Sequence, residues 1–187
     1  MTVLRRSLAT CLVVAAFTAV PAAAVTDPPY AAWHERPVKA LSEEQIDDLG
    51  SGRGMGLALA AELNGYPGPR HVLDLAHELG LTPDQRAQTE ALFEAMRAEA
   101  VRLGERIVER EAALDRLFAD GEATDVAVRE VAGEIGRLQG ELRAVHLGAH
   151  LTMRDLLAPH QVARYAALRG YGAASHEHGH GGHAGHR

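Results

Sequence analysis

The strongest constraint on this fold is a long apolar seam over residues 125–157. Apolar residues recur there at alternating steps of three and four, which lines one side of a long packed helix. The seam positions are Val128, Val131, Ile135, Leu138, Leu142, Val145, Ala149, Thr152 and Leu156. A single helix cannot bury such a seam by itself, so the sequence predicts an antiparallel partner helix.

A second long helix with its own seam precedes the first. Thr82 is placed to cap it, Pro83 suits the first helical position, and Gln85 closes a capping box. The apolar positions of this helix are Leu92, Met96, Ala100, Leu103, Ile107, Leu114 and Leu117. The helix is expected to end near Ala119, and residues 120–123 form a short turn. The two helices therefore predict an αα-hairpin.

Shorter helices flank the hairpin on both sides. Ser42 and Gln45 form another capping box, which opens the first of them. The glycine-rich stretch 50–56 lacks the preceding strand and the spacing of a phosphate-binding loop, so it predicts a flexible turn. The short helices are expected over residues 42–49, 57–63, 69–79 and 159–170. The predicted fold class is all-α, with short hooked N-terminal helices, a long antiparallel hairpin and a short C-terminal helix.

The first 24 residues have the features of a secretory signal peptide: two arginines, an apolar run and three alanines ending at Ala24. Cleavage near Ala24 predicts an exported protein of the periplasm. The one cysteine, Cys11, lies in this leader. The mature chain would then contain no disulfide, no thiolate metal ligand and no cysteine nucleophile.

The charge of the mature chain argues against nucleic acid as a partner. Removing the leader takes away two of 19 basic residues, so 17 basic residues stand against 25 acidic ones, a net charge of −8 with neutral histidine. Such an acidic chain is a poor nucleic-acid binder. The sequence also lacks an HExxH motif and a strand–turn–helix nucleophile elbow, so we expect that the protein is not an enzyme.

Four segments are expected along the chain. They are a signal peptide (1–24), an extended arm (25–41), a helical hairpin domain (42–171) and a disordered His-rich tail (172–187). The arm is inferred from its prolines. The tail contains glycine and histidine but no large apolar residue, which is typical of a segment without a packed core.

The tail is the first candidate metal-binding segment. Neutral imidazoles on a flexible chain can gather around Zn²⁺, Ni²⁺ or Cu²⁺, so a divalent transition metal is the expected cofactor. The tail imidazoles belong to His176, His178, His180, His183 and His186. A vector-derived tag and a weakly binding, solubilising tail are the alternative interpretations of this segment.

A second candidate metal site lies within the helices. His146 and His150 are four residues apart, and Met153 follows one turn later, so the three side chains share one flank of the helix predicted over residues 125–157. They fall beside the predicted seam, where a ligand could reach them. His71, together with Asp74 or Glu78, is the expected source of ligands from the short N-terminal helices. Surface or hydrogen-bonded histidines are the alternative interpretation.

Glycines lie along one side of the helix predicted over residues 125–157. Each one costs a helix about 1 kcal/mol relative to alanine. They predict a face where another backbone approaches closely; the alternative is a bias of a GC-rich genome toward glycine and alanine codons. The positions on this side are Gly133, Gly136, Gly140, Ala144 and Gly148.

The chain repeats one motif at the two ends of the hairpin. The first copy is Leu81-Thr82-Pro83-Asp84-Gln85 and the second is Leu157-Ala158-Pro159-His160-Gln161. In an exported helical chain, this pair resembles the LTxxQ superfamily, which contains CpxP/Spy-like periplasmic chaperones, zinc-resistance-associated proteins and periplasmic nickel/cobalt sensors. The second copy departs from the signature in having alanine in place of threonine.

The resemblance implies a hooked, dimeric hairpin with one of two functions. The first is metal binding in heavy-metal sensing or resistance, with a membrane-bound regulator as a partner. The second is an ATP-independent chaperone of the envelope stress response, with unfolded envelope proteins as partners. The sensor branch uses a His-x-x-x-Met pair, and here Met153 matches while the histidine position holds Ala149.

Overall fold

A computed structural model describes residues 30–171, and all regular secondary structure in that range is helical. A 3-10 helix (Ala31–Glu35) precedes α1 (Glu43–Ser51), α2 (Leu59–Glu62), α3 (Pro69–Asp74), α4 (Pro83–Ala119), α5 (Asp125–Leu156) and α6 (Pro159–Leu168). The long helices α4 and α5 pack against each other, which confirms the predicted all-α hairpin. No helix within residues 30–171 is long and apolar enough to span a membrane. The predicted signal peptide and His-rich tail lie outside the described range.

The short helices α1 to α3 and their connections, residues 42–80, form a hook that packs on the hairpin. The capping box at α1 is present: Gln45 N–H donates to Ser42 Oγ over 3.1 Å, and Ser42 N–H donates to Gln45 Oε1 over 2.8 Å. Gly52 ends α1 with a φ of +69°. α1 packs on α4, α2 packs on α5, and α3 contacts both long helices.

The helix α3 is shorter than the sequence predicts. It ends at Asp74, and the chain continues to Gly80 as a series of turns instead of a helix to Leu79. Gly80 has a φ of +60°, so the chain changes direction there. These turns keep Leu79 buried and let its carbonyl oxygen accept a hydrogen bond from Gln161 Nε2 over 3.3 Å. The tertiary contact overrides the helical pattern of the segment.

The predicted extended arm is not extended where the structure describes it. Residues 31–35 form the 3-10 helix, and the following chain enters the protein core. Val38 and Leu41 are buried there, in a mid-hairpin core completed by Leu49, Ala100, Leu103, Ile107, Leu138 and Leu142. This end of the arm is therefore part of the folded unit.

A close crossing of α1 over α4 is made possible by Gly104. A Cβ atom at this position would lie 2.2 Å from the carbonyl oxygen of Leu49, well inside any real contact distance. Leu103 beside it is buried in the mid-hairpin core. Only glycine lets the two backbones approach this closely.

The glycines of α5 do not have the role that the sequence suggested. A Cβ atom built at each of them meets no other atom of the chain within 4 Å, and all four are exposed. The predicted close approach is therefore wrong for contacts within the chain. The positions concerned are Gly133, Gly136, Gly140 and Gly148.

The repeated motif joins the two ends of the hairpin through a pair of glutamines. Gln85 Nε2 donates to Gln161 Oε1 over 2.8 Å, and Gln161 Nε2 donates to Gln85 Oε1 over 3.0 Å. Each Oε1 also accepts from the N–H of its own helix cap, Thr82 or Ala158. Gln85 Nε2 donates in addition to the Leu156 carbonyl over 3.0 Å. The two copies therefore dock on each other in nearly the same way.

The alanine that replaces threonine in the second motif copy changes only the cap of its own helix. Thr82 Oγ1 accepts from Gln85 N–H over 3.1 Å, which completes the first capping box. Ala158 has no hydroxyl, so only the glutamine half of the second box forms. Beneath the pair, a base core contains Val72, Leu79, Met153, Leu157, Val162 and Tyr165.

Candidate functional site

A cavity of about 630 Å³ lies between the hook and the hairpin. Its walls come from the glycine-rich loop after α1, the start of α3, the first third of α4 and the last third of α5. Three of the candidate ligands selected from the sequence line it: His71, His146 and His150. The fold therefore brings together histidines that are up to 79 positions apart in the chain (150 minus 71).

The two histidines of α5 lie in the buried seam and not beside it, which corrects the sequence-based expectation. His146 is 4% exposed and His150 is 9% exposed. A straight helix has 3.6 residues per turn, so its buried face drifts by about 20° per heptad away from a strict 3.5 repeat. After Leu142 the buried positions are accordingly His146, Ala149, His150 and Met153, while Thr152 is exposed.

The ring of His146 is buried without full hydrogen bonding. Its Nε2 is inaccessible to solvent and has no hydrogen-bond partner. The glycine-rich loop lies against the other side of the ring, because a Cβ atom at Gly54 would be 3.9 Å from His146 Nδ1. Burial, followed by the charge of nearby His150, lowers the pKa of His146. The imidazole is therefore neutral near pH 7, which is the form that binds metals.

His150 is held in one tautomer by the hook. Its Nδ1 lies 2.8 Å from the carbonyl oxygen of Tyr66. A carbonyl oxygen only accepts, so Nδ1 carries the proton and the lone pair of the neutral ring is on Nε2. Histidines that bind metals are usually oriented in this way, by a backbone carbonyl on the other ring nitrogen. Gly68 packs so closely that a Cβ there would be 2.9 Å from Nε2.

A buried carboxylate stands behind the cavity histidines. Glu62 is 5% exposed, and its oxygens lie 3.5 Å from His71 Nδ1 and 3.7 Å from His150 Nδ1. The Gly68 N–H donates to Glu62 Oε2 over 3.1 Å. Glu62 therefore lies beside both imidazoles and is not itself among the residues that line the cavity.

The same carboxylate fastens the end of α6. The hydroxyls of Tyr165 and Tyr171 donate to Glu62 Oε1, the second over 3.1 Å, and Arg169 Nε lies 3.6 Å from it. Burial and the hydrogen bond with Glu62 raise the pKa of Tyr165, so its hydroxyl stays protonated and acts as the donor. Glu62 thus connects the hook, the histidines and the C-terminal helix.

The remaining charged groups on the cavity wall are already paired. Three arginines line the cavity, and each has a carboxylate within 4 Å: Arg53 with Asp48, Arg70 with Asp74 and Arg97 with Glu94. Glu94 is the single carboxylate among the lining residues. The nitrogen and sulfur ligand atoms left on the wall are those of the three imidazoles and the thioether of Met96, and the hydroxyl of Ser51 lies there as well.

Other sequence-selected candidates lie elsewhere. Met153 is fully buried in the base core, and Glu78 is exposed and does not line the cavity. The tail histidines fall outside the described residues. Within residues 30–171 no group of three or more His, Cys, Asp or Glu side chains is arranged to hold a metal ion. His71, His146 and His150 therefore line one cavity but are not arranged as a complete set of metal ligands. Glu62 and Met96 were not selected from the sequence as site residues.

The buried state of His146 predicts a pH-dependent stability. Its folded-state pKa lies below the ordinary value of 6.5, so the unfolded chain binds the proton more tightly. The group has no effect on stability well above pH 6.5. As the pH falls through 6.5, the metal-free protein should lose up to about 1.4 kcal/mol of unfolding free energy per pH unit. Denaturant unfolding at pH 7.5, 6.5 and 5.5 with a chelator measures this loss.

The control for this prediction is a second histidine on the surface. His146→Gln should flatten the curve between pH 6.5 and 5.5, whereas His77→Gln, at an exposed position, should leave it unchanged. Parallel curves for the wild-type protein and His146→Gln would contradict the prediction.

Comparison with known proteins agrees with the motif. The profile described as LTXXQ motif family protein matches residues 69–169, which is more than half of the 187-residue chain. No curated protein and no solved structure gives a match. The matched region contains both motif copies and the whole α4–α5 hairpin. The family fits the periplasmic group of CpxP-like, Spy-like and ZraP-like proteins. The chain therefore belongs to the LTXXQ motif family, as its paired motifs indicate.

Proposed function

We propose that this chain is a non-enzymatic periplasmic protein that binds a transition metal of the zinc, nickel and copper group, in heavy-metal sensing or resistance. The observation that carries this proposal is the pair His146 and His150. One ring has a buried nitrogen without a partner, and the other has its Nε2 lone pair left free. An unpaired buried nitrogen costs about 1–3 kcal/mol, and a bound ion would remove that cost.

The positions of the two rings suit a shared ion. Residues four apart lie on neighbouring turns of one helix face, so two imidazoles can reach the same metal. His71 is the group that can move to join them, because its side chain is 42% exposed and its Nδ1 rests 3.5 Å from Glu62. A divalent ion would take its third ligand from His71, once that side chain turned toward it.

Titration of a full-length chain whose five tail histidines are replaced by asparagine tests this site. This tail-substituted chain should bind one ion per chain in calorimetric titrations with Zn²⁺, Ni²⁺ and Cu²⁺. Adding His146→Ala and His150→Ala should weaken binding by about 100-fold or more, since even outer-shell partners contribute about 10–100-fold. His77→Ala and His160→Ala, both at exposed positions, are the matched controls. Equal affinity in the two double variants would overturn the proposal.

A chaperone function is the second candidate, and one surface favours it. Leu59 is the first residue of α2 and Leu63 directly follows the helix, so the two side chains lie one turn apart. They are 55% and 59% exposed, and the nearby residues Met55 and Tyr66 are exposed as well. Exposed apolar residues in such a group can hold unfolded chains. In this case Leu59→Ser with Leu63→Ser should abolish suppression of client aggregation, with or without metal. Val126→Ser, at an exposed apolar residue near the hairpin turn, is the control.

The proposal extends to the oligomeric state and the partners of the protein. We propose a homodimer, with a membrane-bound regulator as the partner of a metal sensor or unfolded envelope proteins as the partners of a chaperone. The open glycine face of α5 supports the dimer, because nothing in the described chain covers it. Sedimentation of the mature protein at micromolar concentration distinguishes a dimer from a monomer.

A further inference from the structure

The cavity offers one donor atom of a different chemical kind, the thioether of Met96. This side chain comes from α4 and lines the same cavity as His146 and His150. Building on the proposed function, we infer that the ion at this site is copper(I), held by the imidazoles of His146 and His150 and the sulfur of Met96. The inference concerns which metal the cavity selects.

The donor set itself selects a soft ion. Imidazole binds zinc, nickel and copper alike, whereas a thioether favours copper(I). Structural zinc sites take four ligands, mostly thiolate and imidazole, and a methionine sulfur is not one of them. Two imidazoles and one thioether make a three-ligand set without anionic donors. Copper(I), which has a filled d shell and low coordination numbers, is satisfied by such a set.

The position of Met96 in the helix also separates it from ordinary core packing. Further along α4, Ala100 and Leu103 are fully buried in the mid-hairpin core, whereas Met96 is only half-buried and lines the cavity. The sequence pattern alone places all three residues in one seam. Met96 therefore lies on the wall of the cavity that His146 and His150 also line.

Binding of copper(I) and Zn²⁺ to the full-length, tail-substituted chain tests the inference. Affinities are measured without oxygen by competition with a chromophoric chelator for each ion. Met96→Leu should weaken copper(I) binding by about tenfold or more and change Zn²⁺ binding by less than about twofold. Leucine has nearly the same volume as methionine, so the fold is retained. Met55→Leu, at an exposed residue that does not line the cavity, is the control.

X-ray absorption at the copper edge gives a second readout in the natural full-length chain. The tail contains no sulfur, so a sulfur neighbour at about 2.3 Å can come only from a methionine or from the leader cysteine. This signal should be present in the wild-type protein and in Met55→Leu, and absent in Met96→Leu.

The outcomes separate this inference from the proposed function. A copper site without sulfur, or one whose sulfur survives Met96→Leu, overturns the choice of copper(I) while leaving metal binding intact. Copper(I) and Zn²⁺ affinities that both survive His146→Ala with His150→Ala overturn the inference and the proposed function together.

Discussion

Replacing Gly104 with alanine should lower the free energy of unfolding by about 2–3 kcal/mol, the range expected for an overpacked core. The new Cβ would lie 2.2 Å from the Leu49 carbonyl oxygen and 2.7 Å from its carbon, so two backbones would have to separate. The better helix propensity of alanine returns only about 1 kcal/mol. Moving α1 away from α4 would also open the mid-hairpin core. Urea unfolding followed by circular dichroism measures the loss.

The matched control is the same substitution on the open side of the hairpin. Gly140→Ala should raise the unfolding free energy by about 0.5–1 kcal/mol, because its Cβ meets no atom of the chain within 4 Å and the helix gains propensity. The two glycine-to-alanine changes should therefore have opposite signs. A stabilising Gly104→Ala would show that the crossing is looser than described. A destabilising Gly140→Ala would show that another backbone occupies that face.

Replacing Gln161 with leucine should cost about 3–4 kcal/mol, in the upper range for single substitutions. Gln161 is 3% exposed, and its side-chain amide bonds with five groups: the Ala158 N–H, the Leu79 and Gly80 carbonyls and both polar atoms of Gln85. Leucine fills a similar volume but removes the partner of the Ala158 N–H and of the Leu79 carbonyl, and each unpaired buried group costs about 1–3 kcal/mol. Thermal and urea unfolding of the metal-free protein measure the effect.

Two further variants make this result specific. Gln88→Leu, at an exposed position of α4, should change the free energy of unfolding by less than about 0.5 kcal/mol. Adding Gln85→Leu to Gln161→Leu should cost much less than the sum of the two single changes, because the reciprocal amide pair is lost once. Additive losses, or a Gln161→Leu cost below about 1 kcal/mol, would contradict the role given to the pair.

The helix boundaries were predictable where local chemistry sets them. Capping boxes at Ser42 and Thr82 and the proline at position 159 mark helix starts, and each helix begins there. The end of α3 was not predictable, because the Leu79 carbonyl turns toward Gln161, 82 positions later in the chain. A periodic pattern carries no information about such a distant partner.

The candidate site was only partly predictable for the same reason. The sequence selected His71, His146 and His150, and the fold brings them to one cavity. Their burial was missed because the seam was extended with a strict heptad repeat beyond Leu142. Glu62 gave no signal at all: it is one of many helical glutamates, and its partner Tyr165 is 103 positions away.

Several hydrogen bonds that hold the hook and α6 against the hairpin join residues far apart in the sequence. Gln85 and Gln161 are 76 positions apart, and His150 and Tyr66 are 84 apart. The hairpin can form from its turn using neighbouring residues, whereas these distant contacts require large loops to close and so form late. The cavity between the hook and the hairpin therefore acquires its final walls only near the end of folding.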